Sequence, residues 1–196
     1  MPLHHSPSPF ILIWTSILIP FLTYDSAYIF LRPHSFSGGA YAHYFSHMRE
    51  GAAVDKLYSE AAWRAGDDGA IVAQGVLACV EVGLFCLYLG LVVRSVGAGG
   101  LVRRQMVGGR EGPWAVLVGF TAGVLDVIKT GHYFLREVSN GFRYTGHNEP
   151  HPLMTGWGIF MYLWMAMNCF VMVRFGRDIL RGLNDGEGLS EQKKGK

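Results

Sequence analysis

Four mostly apolar stretches, 10–31, 70–93, 113–135 and 153–175, each match the ~20 positions an α-helix needs to cross the ~30 Å hydrocarbon core of a bilayer. Inside that core the backbone has no water to pair with, so a segment of this kind satisfies its own N–H and C=O groups by becoming a helix. The expectation is an all-α membrane protein: a four-transmembrane-helix bundle filling 1–196 as one domain, with 176–196 as a cytosolic tail. The positive mean hydropathy agrees.

Four spans return both termini to the same side. Lys and Arg number ten in the middle loop and tail against six in the other two loops, Arg174 at the edge of the fourth span being counted with the tail. That asymmetry predicts cytosolic termini. The final residues Lys193, Lys194, Gly195 and Lys196 resemble a dilysine retrieval signal, which is read in the cytosol and predicts the endoplasmic reticulum membrane. The N-terminus lacks a charged n-region, so no cleaved signal peptide is expected. A net charge of +2, scattered over loops and tail, excludes nucleic acid as a partner.

Between the first two spans, Val54, Leu57, Tyr58 and Ala61 recur at i, i+3, i+4, i+7 and predict a short amphipathic helix on the luminal surface. The Gly- and Arg-rich segment Ser95 to Gly112 lacks the GK[ST] ending of a phosphate-binding loop and reads as a flexible connector. Cys79, Cys86 and Cys169 fall within apolar segments, as reduced packing residues rather than disulfide partners.

Within the spans stand Asp25, Glu81, Asp126 and Lys129, with Asn168 on the fourth. A charge at the bilayer centre costs ~2.5–3.5 kcal/mol on insertion scales, so such residues face an interior and mark function. Asp126, Lys129 and His132 recur every three residues, and the first two predict a structural ion pair. A carboxyl withdrawn from water favours its neutral form, and a neutral acid is what a proton donor must be. Asp25 and Glu81 are therefore the candidate catalytic acids. The aromatic and Met residues of the fourth span, Trp164 among them, suit an apolar ligand wall.

These same residues carry a resemblance. An acid late in the first span, "ACVEVGLFCLY" in the second, "HYFLREVSNGF" closing the third, "HPL" before the fourth, "MYLWMAMN" within it and the loop stretch "LYSEAAWRAGDDG" resemble the emopamil-binding protein family of EXPERA-domain membrane proteins. The likeness runs from about Ile19 to Arg174, carried by the order and spacing of the motifs. It implies isomerisation of a sterol double bond from the delta-8 to the delta-7 position: protonation of the alkene, a tertiary carbocation, and loss of a neighbouring proton, with no cofactor or metal. It implies that Glu81 shuttles the proton, Asp25 is the first-span acid and Asn168 the fourth-span amide. Where the sterol isomerases carry a histidine, a threonine and a tryptophan, this chain has Phe21, Leu84 and Val171, which implies an altered substrate. Tyr24 or His132 is available as the missing acid–base partner. Asn168, Tyr24, Phe21, Leu84, His132 and Trp164 make up the candidate substrate-binding set.

The expected function is an integral-membrane isomerase that shifts a double bond in a sterol or terpenoid. The alternatives are a natural-product isomerase or cyclase of the same fold, and a non-enzymatic sterol-binding protein like the sigma-2 receptor branch, which keeps an Asp and a Glu in its first two spans. Expected partners are the membrane, the lipid substrate and, as an option, a second copy of the chain. Di-iron oxidation, suggested by His43 with His47 and His147 with His151, is set aside: such sites need more histidines, and Pro150 breaks a helix between the second pair.

Overall fold

The computed structural model of the chain describes residues 5–102 and 106–194 and, within them, no side chains for 98–102, 152, 156 and 186–194. The elements run α1 (Pro9–Phe30), α2 (Ser46–Val54), a 3-10 turn (Lys56–Tyr58), α3 (Glu60–Arg64), α4 (Gly69–Val102), α5 (Glu111–Ser139), a single turn α6 (Pro150–Pro152), a π-helical stretch (Leu153–Gly158) and α7 (Ile159–Lys194). Among the described residues the only extended pairing is an isolated bridge between His5 and Val107.

The helix ends reflect local chemistry. Pro9 opens α1, where its missing N–H costs nothing, and Ser8 Oγ accepts the Ile11 N–H at 3.2 Å. At the end of α5, Gly141 (φ 62°) turns left-handed; the Gly141 N–H then reaches the Val138 carbonyl and the Phe142 N–H the Glu137 carbonyl, a Schellman closure. Gly97 (φ 68°) kinks α4 where its last turns begin.

In the long helices the buried positions recur at three- and four-residue steps: Ile11, Thr15, Leu18, Leu22, Ser26 and Ile29 in α1; Ala78, Glu81, Phe85, Tyr88 and Val92 in α4; Trp164, Asn168, Val171, Phe175 and Asp178 in α7. That is the stripe a helix presents to a core. The remaining faces expose Ile13, Ile17, Val76, Leu87, Leu117, Ile128, Leu163 and Phe170, an apolar coat suited to lipid. Pro9–Phe30, Gly69–Gly97, Glu111–Ser139 and Leu153–Asp185 are long and apolar enough to cross a membrane. The protein is thus all-α with four candidate membrane-spanning helices.

The chain, expected to form one domain, sorts into two compact units. The first takes residues up to Pro20, Glu81–Leu125 and those from Met167 on; its core holds Ile11, Tyr88, Val92, Val107, Ala115, Val116, Val171 and Phe175. The second takes Phe21–Val80 and Asp126–Ala166, with a core of Tyr28, Ile29, Phe36, Phe45, Leu57, Ile71 and Tyr144.

Several expectations are corrected. The amphipathic helix through 54–61 is broken, because Asp55 and Ser59 adopt extended backbone and each caps the turn C-terminal to it, accepting the N–H groups of Leu57 and Ala62. In the segment expected as a tail, α7 continues as helix to Lys194, and there Asp178 is buried between Arg174 Nη1 at 2.7 Å and His5 Nδ1 at 3.0 Å. The side chains of the Lys193–Lys196 signal lie outside those described. The Gly-rich connector is helical as far as Val102, and Val107 within it is buried. Cys79 and Cys86 are exposed and Cys169 partly so, all free thiols, so the first two do not pack in a core.

Candidate functional site

The second unit holds a partly open cavity of about 220 Å³. Its wall is mostly apolar, with Phe21, Leu22, Ile71, Ala78, Trp157, Phe160, Met161 and Trp164, and carries Asp25, Asp55, Tyr58, Gln74, Lys129, Thr130 and Tyr133 as its polar groups. Few polar groups in an apolar lining is the usual make-up of a small-molecule site. The volume lies below the ~300–1,000 Å³ of ligand pockets in general, so it suits a small group rather than the whole of a drug-sized molecule.

Each polar group is placed by its element. Asp126, buried on α5, is a hub: Lys129 Nζ stands 3.6 Å from its Oδ1, and the Thr130 hydroxyl and the Trp164 indole N–H reach the same oxygen at 3.3 Å each. Lys129, Thr130 and Trp164 line the cavity and Asp126 does not. Asp126 therefore holds three lining side chains from behind. Gln74 donates to the Lys129 carbonyl at 3.2 Å and ties α4 to α5 in this unit. Trp157 comes from the π-helical stretch Leu153–Gly158, a form that recurs at functional sites. Phe21 packs on Trp164 and Phe160, with ring centres 4.9 and 5.6 Å apart.

Also in the lining, the Tyr58 hydroxyl lies 3.5 Å from Asp25 Oδ2. Asp55 accepts the Leu57 N–H at 3.0 Å and a short hydrogen bond from the Tyr133 hydroxyl. Burial pushes the Asp55 carboxyl above its ordinary value, against the pull of the Tyr133 and Leu57 donors. Burial pushes the Tyr58 phenol well above its own, and the nearby Asp25 and Asp55 carboxyls add to this. Tyr58 is thus held as a neutral hydroxyl.

Of the residues singled out by sequence, Asp25, Phe21, Lys129 and Trp164 meet at this cavity. Tyr24 does not line it; its hydroxyl donates to the Tyr44 carbonyl at 2.9 Å. His132 is exposed: three-residue steps retreat ~60° each, so it stands roughly 120° from Asp126 around α5 and leaves the shared face. Glu81, Leu84 and Asn168 belong to the first unit. Glu81 is fully buried there, Leu84 packs against that unit's core, and Asn168 accepts the Trp14 indole N–H at 2.8 Å. The His147 ring engages the Ala53 carbonyl at 2.8 Å.

Sequence reasoning missed Asp55, Tyr58, Gln74, Thr130 and Tyr133. Comparison of the chain with protein-family models, with curated proteins and with solved structures finds no match.

Proposed function

We propose that the chain is an integral-membrane isomerase of the EXPERA type, which shifts a double bond in a sterol or terpenoid by protonation and deprotonation through a carbocation. The observation that carries this reading is the cavity itself, which pairs the Asp25 carboxyl with an apolar, aromatic wall. An uncharged lipid alkene needs an acid to protonate it. The cation that results needs water kept away and π-faces to stabilise it, which Trp157, Trp164, Phe21 and Phe160 supply. Asp25 is the acid that a membrane-length helix brings to the cavity, and Glu81 is the acid the resemblance adds. Phe21, in place of a histidine, favours a substrate other than the common sterol, within the same chemistry. In this reading the protein sits in the endoplasmic reticulum membrane with cytosolic termini, and the pieces between Ser46 and Arg64 lie on the luminal surface.

The test is incubation of the purified chain in detergent with a delta-8 sterol, and separately with terpenoid alkenes, in deuterated water. Deuterium in an isomerised product is expected, with a fall of about 10²–10⁴-fold in Asp25→Asn. Wild type that binds these lipids and incorporates no label would make it a sterol-binding protein instead. Glu81→Gln is expected to bind without turnover; unchanged turnover removes Glu81 from the proton path.

A further inference from the structure

Protonation of either carbon of an alkene leaves the positive charge on the other, and the two cations lead to different isomers. From a delta-8 sterol, one gives the delta-7 product and the other the delta-9(11) product. Aromatic faces in the lining, such as those of Trp157 and Trp164, attract a cation on either carbon and do not choose between them. The lining also holds a charge of the opposite effect. Among its described residues Lys129 carries the one basic group. Its counter-charge, the fully buried Asp126, has Oδ1 3.6 Å from the ammonium and stands outside the lining. The ion pair is thus split, with only its positive member bordering the cavity. Gln74 donates to the Lys129 carbonyl at 3.2 Å, which fixes the root of this side chain on α5. Like charges repel more strongly the closer they lie, so an ammonium at one point of the wall penalises a cation on the nearer alkene carbon most.

We infer that Lys129 decides which alkene carbon carries the cation, and so which double-bond isomer leaves the site; this rests on the isomerase reading of the cavity. The carbon nearer the ammonium takes the proton, the π pair forming the new C–H bond, and the farther carbon becomes the cation. A proton then leaves the carbon beyond it, and that C–H pair becomes the new double bond. One proton enters and one departs, both by way of the carboxyls of the isomerase reading, which exchange with solvent between turnovers. No other reactant is consumed. The selectivity is of the repulsive kind: the wrong cation is made costly rather than the right one favoured. Lys129 is then a specificity-determining residue, and Asp126, which acts through it, a positioning residue. The same role gives a use to an ammonium on a membrane-length helix, where a charge is costly to keep.

The test is the ratio of isomers that the full chain makes in detergent from a delta-8 sterol, or from whichever terpenoid alkene turns over in its place, read by NMR of the extracted products. Wild type is expected to give mainly one isomer. Lys129→Met keeps the length of the side chain and loses its charge. It is expected to lower the ratio by about three- to tenfold, the effect of a unit charge ~5–6 Å from the alkene at an effective dielectric of ~10–20. Lys129→Arg keeps the charge and is expected to stay within about twofold of the wild-type ratio. A misfolded fraction lowers the amount of product and leaves the ratio unchanged. Lys129→Met combined with Asp126→Asn removes both charges together, so neither is left buried alone; it is expected to match Lys129→Met and decides the matter where the single variant does not fold. An even mixture from wild type, a wild-type ratio without the ammonium, or the same altered ratio in the Met and Arg variants overturns the inference and leaves the isomerase reading standing, since product still forms. A wild type that makes no isomer from any sterol or terpenoid overturns that reading, and the inference with it.

Discussion

At Asp55, burial and hydrogen bonding pull the carboxyl in opposite directions, and burial prevails, holding it above the ordinary 3.8. The folded chain then binds this proton more tightly than the unfolded chain does. Stability rises with pH only where the unfolded state binds more protons, so here the sign is reversed: the contribution is complete below 3.8 and is lost as the pH rises through the folded value. Asp55→Asn deletes the titration. Thermal unfolding in detergent across this range should show wild type losing stability relative to Asp55→Asn as the pH rises; parallel curves would contradict it. The same residue marks the limit of what the sequence disclosed. Asp25, Lys129 and Trp164 stood out because charges and aromatic walls inside spans are conspicuous. Asp55 and Tyr58 lie in a loop, where polar residues are ordinary, and Tyr133 is one aromatic among many. What raised them is burial, which depends on the fold around the loop.

The long helices were legible because span length and a 3.6-residue stripe are local properties, and their observed bounds extend most of the expected ones. The loop helix was not, since its apolar spacing does not reveal that Asp55 and Ser59 stop one turn and start the next. Close packing within an element is testable at glycines. A methyl group on Gly119 of α5 would press into the ring of Phe175, which is fully buried and fixed between His5 and Tyr88. On Gly83 of α4 it would meet nothing within 4 Å. Gly119→Ala should therefore destabilise by about 1–3 kcal/mol through overpacking. Gly83→Ala should be neutral or stabilising by up to ~1 kcal/mol, since alanine favours helix. Equal melting temperatures for the two variants would contradict the packing assignment.

Across the whole molecule, the first unit is closed by residues far apart in sequence. His5 stands between Asp178, 173 positions away, and the Tyr88 hydroxyl at 3.0 Å, while its backbone pairs with Val107. His5→Ala leaves the Tyr88 hydroxyl and one Asp178 oxygen without these partners, a loss of about 1–3 kcal/mol. A lowered melting temperature in detergent is the expected result, and an unchanged one would make the strap incidental. Nothing in the sequence joined these positions, because His5, Val107 and Asp178 look like ordinary terminus, loop and tail residues, and Tyr88 like one more aromatic of a span, until the chain is folded.

All residues that line the cavity lie within 21–80 and 126–166. The rest of the chain can therefore accumulate substitutions without replacing a single lining group, and the lining can change without altering the residues that clasp the first unit. A cavity confined in this way can change what it accommodates, one wall residue at a time, while the clasp of the first unit stays as it is.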